Sequence, residues 1–163
     1  MAQHLRLPDA SATERLGEAL AGARDPAALR GLVLHVRGEL GAGKTTLVRG
    51  MLRGLGYPGR VKSPSYTLLE AYAFSSLNLY HFDFFRFKDR SEWLTSGFRE
   101  HFAADSLCVV EWPERAGGLV APADLEVLLQ ASDAHEGREA TLAAHSAAGL
   151  AWLEAVCSRW RSS

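Results

Sequence analysis

The residues best suited to chemistry stand together at Gly38-Glu39-Leu40-Gly41-Ala42-Gly43-Lys44-Thr45. Their spacing is G-x-x-x-x-G-K-[ST], that of a loop joining a strand to a helix around a phosphate. The glycines open backbone angles closed to other residues and keep side chains from between the main chain and an anion. Successive N–H groups along Gly41, Ala42, Gly43, Lys44, Thr45 and Thr46 then line a hollow, which the positive end of the following helix makes more attractive to anions. Lys44 is placed to reach terminal phosphates, and the Thr45 hydroxyl to complete a Mg²⁺ shell. A nucleoside triphosphate is the ligand this chemistry expects.

Two acids close apolar runs further on. Leu77–Phe82 ends in His81-Phe82-Asp83, and Leu107-Cys108-Val109-Val110 ends in Glu111. An acid at the end of a strand in a nucleotide-binding fold commonly stands beside the metal or the attacking water. Glu111 closes the more completely apolar run and is preferred for the metal; Asp83 remains the alternative. His81 by itself reads as structural. Ser63-Pro64-Ser65-Tyr66-Thr67 is hydroxyl-rich and held extended by its proline.

These residues need elements to position them. Leu32–Val36 reads as the strand before the loop and Thr45–Leu55 as the helix after it, with Leu47, Met51, Leu52 and Leu55 as its buried stripe and Gly56 as its stop. Upstream, Ser11-Ala12-Thr13-Glu14 has the form of a capping box and predicts a helix start, followed by Leu16, Ala19, Leu20 and Ala23 on one face. Leu68–Tyr72 and Leu77–Phe82 suggest a hairpin. Ser91-Glu92 predicts a further helix with Trp93, Leu94, Phe98 and Phe102 on its apolar side. The remainder reads as strand Leu125–Ala131, a loop holding Gly137-Arg138-Glu139, strand Ala140–Ala144, and a closing helix with Leu150, Leu153 and Val156 inward.

Bulk properties are compatible with this reading. A chain of 163 residues with 47% apolar content suits one domain with a substantial core. Lysine and arginine number 18 against 19 acids, a net charge of −1. A domain that grips nucleic acid by its phosphates is usually far more basic. The only local basic cluster is Arg49, Arg53, Arg60 and Lys62, read as a solvated face. Cys108 and Cys157 have no metal or redox spacing. With no signal peptide and no membrane-length apolar run, the expectation is a soluble cytoplasmic protein. GTP is disfavoured, because guanine readers carry Asn-Lys-x-Asp and the sole asparagine, Asn78, precedes Leu79. A small-molecule kinase would need an arginine-bearing lid, for which only the short stretch Arg86–Arg90 offers itself. A module that binds nucleotide only to stabilise an assembly is the non-enzymatic alternative.

Four segments in order, GELGAGKTT at Gly38–Thr46, VKSPSYT at Val61–Thr67, YHFDFFR at Tyr80–Arg86 and VVEWP at Val109–Pro113, resemble the bacterial TsaE family, small ATPases of tRNA threonylcarbamoyladenosine biosynthesis. The resemblance implies a three-layer α/β phosphate-loop fold, its central sheet mostly parallel with some antiparallel strands. It implies Lys44 and Thr45 on phosphate and Mg²⁺, Glu111 as the metal-side acid, and Asp83 as catalytic or water-positioning acid. Ser63, Ser65 and Thr67 match its nucleotide-sensing switch. Ala10 to Thr13, Glu114, Gly137 and Arg138 fall where the family closes around base and sugar. Ser65 stands where the family often has Thr, and Phe85 where it often has Tyr. Weak ATP hydrolysis, stimulated by the threonylcarbamoyl transferase and its non-catalytic paralogue, is implied as well, with tRNA contacted only weakly or through that complex.

Overall fold

The computed structural model describes residues 1–163. Its centre is a strand, β5 (Ser106–Glu111), in which every residue is buried. Burial on both faces explains why the run is apolar without alternation. Beside it lie β2 (Val33–Arg37) and β4 (Asn78–Asp83), both parallel to it. β6 (Leu125–Ala131) continues the parallel set on the far side of β2. Antiparallel strands finish both edges: β3 (Leu69–Ala73) on β4, and β7 (Arg138–Ala144) then β1 (Ala2–Leu7) beyond β6. The order across the seven strands is β1-β7-β6-β2-β5-β4-β3. The four central strands are thus mutually parallel, as expected.

One face of the sheet carries helices α1 (Ala10–Gly22), α2 (Lys44–Gly54) and α4 (Ala147–Arg161). Leu34, Val36, Leu107 and Val109 point into that layer and pack with Leu16, Leu47, Met51 and Trp152. The other face is covered more thinly, by α3 (Arg90–Ser96) and short 3-10 turns, over an aromatic cluster of Phe82, Phe84, Trp93 and Phe98. Where α1 crosses α2 the backbones touch. A Cβ on Gly17 would stand 2.1 Å from the Leu47 carbonyl oxygen, and one on Gly50 2.0 Å from that of Glu14. Only glycine permits that approach, and it brings the starts of both helices to one place.

Four local expectations change. The first helix is capped by Asp9, whose carboxylate accepts from the Ala12 N–H at 2.8 Å; Ser11 lies inside the first turn. α3 stops at Gly97, in the left-handed conformation, so the spacing Trp93, Leu94, Phe98, Phe102 is not one helical face, and Leu94 is 77% exposed. Arg138 and Glu139 belong to β7, because that strand has a partner on each side and both ladders reach Arg138. In α4 the inward stripe runs through Gly149, Trp152, Leu153 and Val156, which leaves Leu150 at the margin.

Candidate functional site at the phosphate loop

All four parallel strands end on the same side, where Arg37, Asp83, Glu111 and Ala131 are their last residues. That edge is where open α/β sheets place ligands. β2 runs into the glycine loop and the loop into α2, with Gly43 at φ 103° as the residue before the helix. Left-handed backbone at this point turns the first amides of α2 towards the hollow.

The hollow is a cavity of about 360 Å³ lined by Gly41, Gly43, Lys44, Thr45, Thr46, Ser63, Ser65, Asp83, Phe85, Glu111 and Trp112, with Leu40 at its rim. Lys44 is buried and bends back over its own loop, where Nζ donates to the carbonyls of Gly38 at 2.6 Å and Glu39 at 2.8 Å. It also lies 4.6 Å from the centre of the Trp112 ring. Burial pushes the Lys44 pKa down, and the nearby charges of Glu111, Asp83, Glu114 and Glu39 counter only part of that. The two hydrogen bonds of Lys44 go to neutral carbonyls, and no carboxylate forms an ion pair with it.

Asp83 and Glu111 are direct neighbours in the β4–β5 register and point to the face that carries α2. Their oxygens are differently engaged. Asp83 accepts from the Ser63 hydroxyl at 2.6 Å and from the Phe85 N–H at 3.0 Å, one bond to each oxygen. Glu111 accepts from His81 Nε2 through Oε2 alone, and Oε1 has no hydrogen-bond partner. Sequence order left the two acids as alternatives; the structure brings both to one cavity and leaves a free oxygen only on Glu111.

Ser63 and Ser65 line this cavity, their hydroxyls 3.3 Å apart. Thr67 does not; it is exposed and donates to the Leu69 carbonyl at 3.2 Å. The segment is not extended as expected: residues 65–67 form a turn closed by the Leu68 N–H donating to the Pro64 carbonyl at 2.8 Å, with Leu68 at φ 66°, an uncommon conformation for leucine. On the other side of the loop a smaller cavity of about 230 Å³ joins Ala10, Thr13 and Thr46 to Gly137 and Arg138. Arg138 is committed to the loop itself, donating to the carbonyls of Ala42 at 3.2 Å and Gly41 at 2.9 Å. Glu114 is not in this second cavity. It accepts from Arg37 at 2.9 Å and lines a third hollow together with loop residues 38–42, Trp112 and Arg138.

Sequence reasoning gave no site role to five contributors: Trp112, Phe85, Arg115, Arg37 and His81. Trp112 and Phe85 form a tilted ring pair 5.0 Å apart against the cavity, with Arg115 stacked over both. An aromatic residue directly after the strand-ending acid was the available signal for Trp112. Arg37 bridges Glu114 and Glu126, and His81 engages Glu111; neither had a local signal. The basic residues Arg49, Arg53, Arg60 and Lys62 form no ion pair, in keeping with a solvated face. A larger hollow of about 770 Å³ lies across the sheet between α3 and Gly118–Pro122. It has one carboxylate, Glu100, and no phosphate-loop backbone.

A strand, a glycine loop and a helix at the carboxyl edge of parallel strands, with a lysine at the helix start and two acids opposite, define an α/β protein of the phosphate-loop kind. The sequence model of the family described as "Threonylcarbamoyl adenosine biosynthesis protein TsaE" matches residues 7–140, and the chain belongs to the TsaE family. The tRNA threonylcarbamoyladenosine biosynthesis protein TsaE of Haemophilus influenzae is 46% identical over 98 residues, 60% of this chain and 62% of that protein. Its Bacillus subtilis namesake is 45% identical over 82 residues, 50% of this chain and 51% of that protein. The matches thus span between half and two-thirds of these relatives' length. The crystal structure of Bacillus subtilis YdiB superposes with a TM-score of 0.73 at 24% identity, covering 98% of this chain and 95% of that one, and it bears on the fold alone.

Proposed function

We propose that this chain is a Mg²⁺-dependent ATPase of tRNA N6-threonylcarbamoyladenosine formation. It turns over slowly alone and faster with the threonylcarbamoyl transferase and its non-catalytic paralogue, and each turnover resets that complex for another round at adenosine 37. One observation carries the reading. A single cavity gathers phosphate-loop amides, a buried lysine bonded only to neutral carbonyls, a carboxylate with a free oxygen, and a second carboxylate bonded to the hydroxyl segment.

In this reading the triphosphate lies on the N–H groups of residues 41–46. Lys44 exchanges two carbonyl oxygens for phosphate oxygens, trading neutral for charged acceptors. Ala10, Thr13, Gly137 and Arg138 flank the sugar and base, while Glu114 acts from further out through Arg37. The donors present suit Mg²⁺: Thr45 Oγ1 and Glu111 Oε1 are hard oxygens, and no group of three or more His, Cys, Asp or Glu side chains is placed to hold a metal ion. Two protein oxygens, with phosphates and water for the rest, are the way this ion is usually held at phosphoryl-transfer sites. Bound there, it would offset charge developing on the transferred phosphoryl group. Asp83 positions water or relays the state of the γ-phosphate through Ser63 to Ser65 and Thr67. The near-zero net charge supports a minor role in holding tRNA, which falls to the partner complex. We place the whole activity in a single cytoplasmic domain; no helix is long and apolar enough to cross a membrane.

The test is phosphate release under multiple turnover, with and without the transferase complex. Stimulated release is expected. Nucleotide binding without turnover in either condition would make the chain an assembly module, and phosphorylation of a small acceptor would make it a kinase. Lys44→Ala should lower stimulated release by on the order of 10²-fold or more, the scale of losing a charged donor to the reacting group. Its circular dichroism spectrum should match that of the unsubstituted chain.

A further inference from the structure

His81 belongs to none of the roles above, yet it is wholly buried and its one hydrogen bond goes to Glu111. The two residues lie on adjacent parallel strands: His81 is level with Val109, and Glu111 is two residues further on beside Asp83. All three side chains share the face that carries α2, so the ring sits directly behind the pair of acids, away from the opening. A carboxylate offers only lone pairs, so Nε2 carries the proton of this bond. Nδ1 is buried and has no partner. A buried polar atom left without a bond is costly, which makes the site a poor one for an imidazole kept only to fill space.

We propose that His81 is a positioning residue for Glu111. The Nε2–H bond occupies Oε2, fixes the rotation of the carboxylate, and leaves Oε1 as the one oxygen offered to the cavity. Asp83 is less free to take that part, because each of its oxygens already accepts a bond from the chain. His81 thereby decides which acid is available to a divalent ion and with how many oxygens. The inference rests on the reading of Glu111 as the metal-side acid.

The experiment measures Mn²⁺ affinity of the intact chain with bound non-hydrolysable ATP analogue, by electron paramagnetic resonance, and analogue affinity in EDTA. His81→Leu should weaken Mn²⁺ binding about tenfold or more, the usual loss when an outer hydrogen bond to a metal ligand is removed. Analogue affinity in EDTA should stay unchanged. His81→Gln places an amide N–H near the position of Nε2 and should recover most of the loss. In a Glu111→Gln background, His81→Leu should add nothing, because its effect passes through the carboxylate. Unchanged Mn²⁺ affinity in His81→Leu, or a Gln variant as weak as the Leu variant, would overturn the proposal. If His81→Leu does not fold, His81→Gln decides: near-normal Mn²⁺ affinity supports positioning, and a loss as large as that of Glu111→Gln refutes it. Should Glu111→Gln itself leave Mn²⁺ affinity untouched, the metal reading of Glu111 fails and the proposal with it; a loss there without one in His81→Leu sinks the proposal alone.

Discussion

Two carboxylates lie side by side at the ends of β4 and β5, and what each oxygen already holds separates their parts. Glu111 keeps one oxygen free, so Glu111→Gln should weaken nucleotide binding in Mg²⁺ more than in EDTA. The change is nearly isosteric and removes the charge a hard ion prefers. Equal losses in both conditions, read by titration of a fluorescent ATP analogue, would move the metal role to Asp83. Asp83 has each oxygen bonded, to Ser63 and to the Phe85 amide. In Asp83→Asn the amide can keep the Phe85 bond and reverse the Ser63 bond, so shape survives while charge is lost. ATP affinity should then stay within a few-fold and partner-stimulated hydrolysis should fall by on the order of 10²-fold, the scale of a positioned acid or base. Normal hydrolysis by this variant, in a stimulated phosphate-release assay, would leave Asp83 as a clasp for the hydroxyl segment only.

Among the elements, the crossing of α1 and α2 couples stability to the site. α2 begins with Lys44 and Thr45, α1 begins beside Ala10 and Thr13, and the glycines at their contact set the distance between them. Gly50→Ala should push the helices apart and cost about 1–3 kcal/mol, as overpacking of a tight interior does. The better helix propensity of alanine offsets about 1 kcal/mol or less of that. Chemical denaturation would measure the loss. Nucleotide affinity should fall with it, because both walls of the loop move. A stability loss with unchanged affinity would show that the loop holds its own shape, with Arg138 as the candidate brace through the Gly41 and Ala42 carbonyls.

For the molecule as a whole, His35 makes stability depend on pH. It sits on β2 towards the aromatic face, buried, with Nε2 bonded to the Ala121 carbonyl at 3.1 Å. Burial lowers its pKa below 6.5; the Ala121 bond and Glu126 oppose this, and Arg37 and His145 add to it. Below pH 6.5 the unfolded chain therefore takes up more protons at this residue than the folded one. The stability tied to a neutral His35 is complete above pH 6.5 and is lost as pH falls from there through the folded-state value. Thermal melts between pH 7.5 and 5 should show this decline, and His35→Gln should flatten it. An equal slope in the variant would assign the decline to other groups.

The sequence by itself determined what lies within a short window. The strand, loop and helix from β2 to α2 were legible because a phosphate loop needs glycines, lysine and threonine at set spacings. The acids at Asp83 and Glu111 were legible because each closes an apolar run, and β5 because burial on both faces leaves no polar position between Ser106 and Glu111. Caps and ends were read less well. Asp9 took the cap assigned to Ser11, Gly97 cut short the helix expected to run to Phe102, and β7 reached back to Arg138 once β1 and β6 flanked it. The tertiary structure alone decided the pairings that make the site. His81 meets Glu111 across 30 positions, Arg37 meets Glu114 across 77, and Arg138 reaches the Gly41 carbonyl across 97. The reason is physical. Period, caps and turns are set by neighbours along the chain, whereas the register between strands far apart in sequence is set by which faces can be buried together, and no short stretch of sequence contains that information.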